Sequence, residues 1–227
     1  MLETRIFGTR VTMARRVFVE LGVLWVALTW WGRHTHPGPG IWHGSLVGLA
    51  TLMVLAPVDL GHALAHIFSA RYAGAPMDEV RLSGGMPRTL YWNNDVSPDV
   101  HRTRALGGLV FNLLGLLVSS VTYLAVPPRS LARELAATSA VGHALLFVAS
   151  LMPLPIVDGG TLMKWTLVAH GRTETQADEI VRRVNWAMAL AGGISGVSLI
   201  ATRRLAAGAA LMGCGVLLAA IAAGRLR

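Results

Sequence analysis

The feature that most constrains the fold is a series of apolar runs near or above about 18 residues, long enough to cross a lipid bilayer as helices. Hydrophobic residues make up 53% of the 227-residue chain and charged residues only 14%. A soluble domain carries about 25% charged residues. We therefore predict an all-α integral membrane protein that passes through the membrane several times.

Six spans are predicted, at residues 17–31, 42–70, 104–126, 131–152, 184–201 and 205–223. An irregular stretch is expected to continue the fourth span to about residue 169. With a cytoplasmic N-terminus, all of the 20 Lys and Arg residues fall in cytoplasmic segments except Arg33, Arg129, Arg133, Arg203 and Arg204. Because positive charge concentrates on the cytoplasmic side, we expect both termini to be cytoplasmic, in the cell membrane of a bacterium or archaeon.

The runs divide the chain into three regions: an N-terminal cytoplasmic arm with the first span (1–41), a core (42–170), and a cytoplasmic loop with two C-terminal spans (171–227). Within the core, the polar loop 71–104 has two short alternating segments, 80–83 and 89–92, around Gly84-Gly85. This pattern predicts a small β-hairpin at the membrane surface. Such a hairpin is either a connector or an edge strand that pairs with an extended peptide.

The second span carries Asp59, His62 and His66 within an otherwise apolar run. Offsets of three and four place the three side chains on one helical face. Ionisable groups at such depth usually face a cavity, a partner or a metal. Two histidines at i, i+4 with a distant carboxylate are typical of a divalent-metal site, zinc being the commonest ion.

A second polar centre follows the fourth span. Two prolines and two glycines between Ser150 and Gly160 break the helix, and Asp158 lies in this break. Irregular backbone at membrane depth is tolerated where protein or a cavity covers it, so Asp158 is a candidate ligand. Asn112 and His143 are polar residues on the third and fourth spans, and each either bonds a neighbouring helix or supports the site.

Together these motifs resemble the site-2 protease family of intramembrane zinc metalloproteases. The family's first motif, His-Glu-x-x-His, corresponds to Val58-Asp59-Leu60-Gly61-His62. Its second motif corresponds to the set Ser150, Pro153, Pro155, Asp158, Gly159 and Gly160. A third, Ala-Gly-Pro-x-x-Asn, is kept at Gly108 and Asn112 without its proline. The resemblance implies a site-2 protease-like core, a zinc cofactor, and a transmembrane or membrane-proximal polypeptide as partner within the lipid bilayer. The sequence has no basic patch interleaved with aromatic residues, so we expect no nucleic-acid partner.

The first motif departs from the family in two positions. In direct register His62 is the second zinc histidine and Asp158 the third ligand, while Val58 replaces the first histidine and Asp59 the catalytic glutamate. In a register shifted by one turn, His62 and His66 form the histidine pair, and Ala63 stands where the glutamate belongs. Asp59 then lies one turn before His62 and can serve as base or fourth ligand.

Three functions are compatible with this pattern. The first is an intramembrane metalloprotease in which His62, His66 and Asp158 bind zinc and Asp59 acts as the base. The second is a pseudoprotease that keeps the fold and binds membrane-protein segments without cleaving them. The third is a membrane protein that handles metals or conducts protons through the same polar cluster.

Overall fold

The computed structural model describes residues 1–35 and 40–225. Its strands are β1 (Leu2–Ile6), β2 (Thr9–Met13), β3 (Glu79–Leu82) and β4 (Arg88–Leu90). Its helices are α1 (Arg16–Thr35), α2 (Gly40–Tyr72), α3 (Pro98–Ala125), α4 (Leu131–Leu151), α5 (Asp158–Ala169), α6 (Glu174–Ala201) and α7 (Leu205–Ala222). The chain forms two compact units, one of residues 1–96 and 103–149, the other of residues 97–102 and 150–225.

Five of the described helices are long and apolar enough to cross a membrane: α2, α3, α4, α6 and α7. Their outer faces expose large apolar side chains, such as Val121 (65% exposed) and Leu145 (67%). Apolar exposure on this scale would be unstable in water and fits contact with lipid. The protein is therefore an integral, multi-pass membrane protein, as its sequence predicts.

The first predicted span corresponds to α1, which does not reach the apolarity of the other five. Its sequence includes Glu20 and ends in Arg33 and His34, which lower its mean hydropathy. The helix nevertheless exposes Val19, Val23 and Val26 on its surface. Five spanning helices are thus assigned by length and composition among the described residues, where the sequence predicts about six.

The first unit contains a four-stranded sheet in the order β1-β2-β3-β4. The predicted hairpin is confirmed as β3 and β4, with Gly84 and Gly85 at positive φ in its turn. The N-terminal arm forms a second hairpin, β1 and β2, which the sequence analysis did not anticipate, and β2 pairs with β3 in parallel. The sheet packs on the C-terminal half of α2 through a core of Val11, Ala63, Ile67, Ala70, Met77, Val80 and Leu82.

The second unit is built on the antiparallel pair α6 and α7, which approach closely at Gly196, Gly208 and Gly215. Small residues at these points let the two backbones come together in lipid. The break after α4 occurs where predicted, at residues 152–157. Residues 158–169 form a regular helix, α5, where an irregular continuation of the fourth span was expected. The irregular backbone is confined to residues 152–157.

Candidate functional site

The first unit brings the imidazoles of His62 and His66 together. Both project from the same face of α2, and their Nε2 atoms lie 3.4 Å apart. Two nitrogen ligands of a tetrahedral zinc, each roughly 2.0–2.1 Å from the ion, lie about 3.3 Å from each other. The spacing of this pair therefore fits two ligands of one metal ion, and it favours the shifted register over the direct one.

The ring of His66 is buried and held by the backbone of α3. Its Nδ1 atom lies 2.9 Å from the carbonyl oxygen of Arg104, and the Ser69 hydroxyl donates to the same oxygen at 2.9 Å. Since a carbonyl oxygen only accepts hydrogen bonds, His66 must carry its proton on Nδ1. The lone pair of His66 is then on Nε2, the atom that faces His62, as in metal-ligating histidines.

Asn112 links the histidine pair to His143. Its side chain is fully buried, with Nδ2 at 2.8 Å from His62 Nδ1 and Oδ1 at 3.2 Å from His143 Nδ1. Asn112 and His143, which the sequence leaves as either helix contacts or supports of the site, thus form one hydrogen-bonded series with His62. In the structure both belong to the surroundings of the histidine pair rather than to separate helix contacts.

Asp59 lies one turn before His62 and lines a cavity of about 460 Å³ in the first unit. The cavity walls come from α1, α2, α4 and the β3–β4 turn, and they are mostly apolar. Its carboxylates are those of Asp59 and Glu20, and Glu20 accepts a hydrogen bond from the Gly85 amide at 2.9 Å. A carboxylate in an apolar cavity large enough for several side chains is an arrangement suited to acid–base chemistry on a bound chain.

Two of the positions that depart from the family motif, Val58 and Ala63, are apolar and buried. Val58, at the place of the first histidine in direct register, is 5% exposed. Ala63, at the place of the glutamate in the shifted register, is 2% exposed and packs in the core with Val11 and Val80. Neither position supplies a ligand or a base, so Asp59 is the carboxylate that α2 offers near His62.

The second motif lies in the second unit. Asp158 is the first residue of α5, where the helix dipole favours a negative charge. A Cβ at Gly159 would collide with the carbonyls of Leu151 and Met152, and one at Gly160 with the carbonyl of Leu154. The two glycines therefore let α5 start directly against the broken segment, and Ser150, just before the break, is also buried.

Three contributors to this architecture were not predicted from the sequence. Asn185 on α6 is fully buried, and its Nδ2 donates to the carbonyl oxygens of Pro153 and Val181, both at 2.7 Å. The Arg104 carbonyl orients His66, and His101 stacks on Trp165 with ring centroids 3.7 Å apart. An asparagine in an apolar run was a readable signal for Asn185; a backbone carbonyl leaves no signal in the sequence.

The chain combines five helices long and apolar enough to cross a membrane with a pair of histidines spaced as two ligands of one metal ion. Its fold is that of a site-2 protease: the structure of the site-2 protease from Methanocaldococcus jannaschii aligns with 100% of this chain and 95% of that chain, with a TM-score of 0.61. The two sequences are 13% identical, so this likeness establishes the fold. No protein-family model and no curated protein matches the sequence significantly.

Proposed function

We propose that this protein is a zinc-dependent intramembrane protease that cleaves transmembrane or membrane-proximal segments of other polypeptides. The observation that carries the proposal is the 3.4 Å separation of the Nε2 atoms of His62 and His66. The site-2 protease fold of the chain supports it, as does the name of the aligned protein. Asp158, matched to the third ligand of the family motif, would complete the set of metal ligands.

Each residue of the site has a separate chemical role. His62 and His66 supply neutral imidazole ligands, and Asp158 supplies a carboxylate. Zinc bound by such a set provides Lewis acidity that activates water and polarises a peptide carbonyl. Asp59 accepts the proton of the attacking water on a carboxylate oxygen and returns it to the leaving amine. The apolar walls of the cavity beside Asp59 bind side chains of the substrate and exclude bulk water.

Cleavage of a fluorogenic transmembrane peptide by the full chain in detergent micelles or proteoliposomes tests the proposal. Asp158→Ala is expected to abolish cleavage. Asp59→Asn should lower kcat by about 10²–10⁴, the usual contribution of a general base. Glu134→Gln, at an exposed position on α4, is the matched carboxylate control and should keep the parent rate. Parent protein that binds zinc but leaves the peptide intact would overturn the protease assignment.

The buried Ala63 favours a second candidate, a pseudoprotease that binds membrane segments without hydrolysing them. With no carboxylate between His62 and His66, hydrolysis depends on Asp59, whose side chain is shorter than the family's glutamate. A pseudoprotease would crosslink to the transmembrane peptide through groups lining the 460 Å³ cavity and would release no product. Crosslinking and cleavage measured on the same peptide therefore separate the two candidates.

A further inference from the structure

Two imidazole rings, those of His62 and His143, lie against helix α3, one on each side of Asn112. Four residues before it, a Cβ on Gly108 would overlap the ring of His62. Three residues after it, a Cβ on Gly115 would overlap the ring of His143. The absence of side chains at these two glycines lets both rings lie against the helix, with the Asn112 amide between them.

A series of hydrogen bonds runs from the Arg104 carbonyl through His66, His62 and Asn112 to His143. Its direction is fixed at the Arg104 end. His66 donates from Nδ1 to the Arg104 carbonyl, so its Nε2 can only accept. When Asn112 donates from Nδ2 to His62 Nδ1, His62 carries its proton on Nε2. That proton then points at His66 Nε2, 3.4 Å away. In this arrangement the His62 nitrogen needed for a metal is occupied by hydrogen.

A half-turn of the Asn112 amide exchanges its donor and its acceptor. Oδ1 then accepts from His62 Nδ1–H, which leaves the lone pair of His62 on Nε2, where a metal needs it. The Nδ2 group now faces His143 and donates to its Nδ1. His143 must then carry its proton on Nε2, because an imidazole nitrogen that accepts a hydrogen bond has no hydrogen of its own.

We propose that Asn112 and His143 are positioning residues that set the tautomer of His62, with His143 changing tautomer whenever His62 becomes a metal ligand. His143, 6% exposed, suits this role because a neutral imidazole can donate or accept at Nδ1 and so satisfies either orientation of the amide. The inference rests on the proposed metal site. It adds to that site a third histidine, His143, which responds to the metal without touching it.

Zinc titration of the full chain in detergent, with ¹⁵N-labelled histidine, tests the inference. The ring ¹⁵N shifts distinguish a protonated from an unprotonated nitrogen. In the parent chain, zinc is expected to shift His143 to the Nε2–H tautomer as it binds. His170, which is exposed, directly follows α5 and is bonded to the Thr166 carbonyl of that helix, should not respond and is the internal control. His143 keeping Nδ1–H at saturating zinc would overturn the inference.

Two substitutions at position 112 add an independent measurement. Asn112→Leu removes the acceptor for His62 and should weaken zinc binding about 10–100-fold, the usual effect of losing a partner behind a metal ligand; it should also abolish the response of His143. Asn112→Asp keeps an acceptor for His62 Nδ1–H and should retain the parent affinity. Equal affinities for the parent and the leucine variant, with matching thermal unfolding in the absence of metal, would overturn the role of Asn112.

Failure of the metal site is distinguishable from failure of this inference. A parent chain that binds no zinc refutes the proposed function. The ¹⁵N shifts of His62 in the Asn112→Asp variant then decide the inference without metal, because two carboxylate oxygens can only accept. His62 shifting to Nδ1–H in that variant supports tautomer control by residue 112, and an unchanged His62 tautomer contradicts it.

Discussion

The Nδ1 atom of His66 lies 2.9 Å from the backbone carbonyl oxygen of Arg104, a residue 38 positions along the chain on a different helix. This contact fixes the ring of His66 and directs its Nε2 atom towards His62. The spacing of the two histidines in the sequence places them on one helical face. The carbonyl of α3 determines which nitrogen of His66 is available, and so makes the pair suitable for a metal.

Both histidines of the pair should be required for zinc binding. We expect His62→Ala and His66→Ala each to lower zinc affinity by more than about 100-fold, since losing a ligand should exceed the effect of losing a partner behind one. Metal analysis of purified protein after dialysis against a zinc buffer measures the loss. His170→Ala, at an exposed position directly after α5, is the control and should retain zinc. Full zinc content in the His66 variant would argue for the direct register of the motif.

Gly108→Ala should displace His62 and destabilise the fold. A Cβ at this position would overlap the imidazole of His62, and forcing extra atoms into a packed interior costs about 1–3 kcal/mol. Thermal unfolding in detergent and zinc affinity should both decrease. Gly193→Ala is the matched control, because a Cβ at Gly193 on α6 meets no atom within 4 Å. Similar behaviour of the two variants would contradict the close approach of His62 to α3.

Asn185→Leu should destabilise the segment that precedes Asp158. The substitution removes the donor to the Pro153 carbonyl and leaves this partly buried acceptor without that bond, at a cost of up to about 1–3 kcal/mol. Faster proteolysis or hydrogen exchange at residues 152–157 is the expected readout. Thr122→Val, which removes a hydroxyl bonded within its own helix on an exposed face, should change stability by less than about 0.5 kcal/mol. Unaltered protection of residues 152–157 in Asn185→Leu would contradict a stabilising role of the Asn185–Pro153 hydrogen bond.

Glu79 should make the stability of the sheet depend on pH. Hydrogen bonds from Arg81, and then from Thr12, lower the pKa of this buried carboxyl below its ordinary value. A lowered pKa in the folded state contributes stability above the unfolded-state pKa of about 4.3. That contribution is lost as the pH falls through the lower, folded-state value.

Hydrogen exchange of the sheet amides reports the unfolding of the sheet. Recorded between about pH 7 and pH 3, it measures this dependence across the ordinary range of carboxyl pKa values. Glu79→Gln should be less stable at neutral pH and should flatten the acid-side decline. Glu3→Gln is the control within the same sheet, because the Glu3–Arg10 pair is about half exposed, 47% and 49%, and such pairs contribute little. An equally steep decline in Glu79→Gln would assign the pH dependence to other groups.

The sequence by itself determined the membrane class, the five apolar spanning helices, the β3–β4 hairpin and the break before Asp158. Apolar length, charge placement and proline–glycine chemistry are local properties, and they suffice for elements of this kind. The same patterns did not reveal the N-terminal hairpin, because β2 becomes a strand by pairing in parallel with β3 about 70 residues away in the chain.

The sequence did not choose between the direct register of the first motif, which pairs position 58 with His62, and the shifted register, which pairs His62 with His66. Both pairs have the same i, i+4 spacing. The tertiary structure favours the pair His62 and His66, because Val58 is buried and the Nε2 atoms of the two histidines lie 3.4 Å apart. The hydrogen-bond partners of Asn112, His62 and His143, are likewise known only from the tertiary structure. A polar residue in an apolar span must find a partner, but which partner it finds depends on how the helices pack.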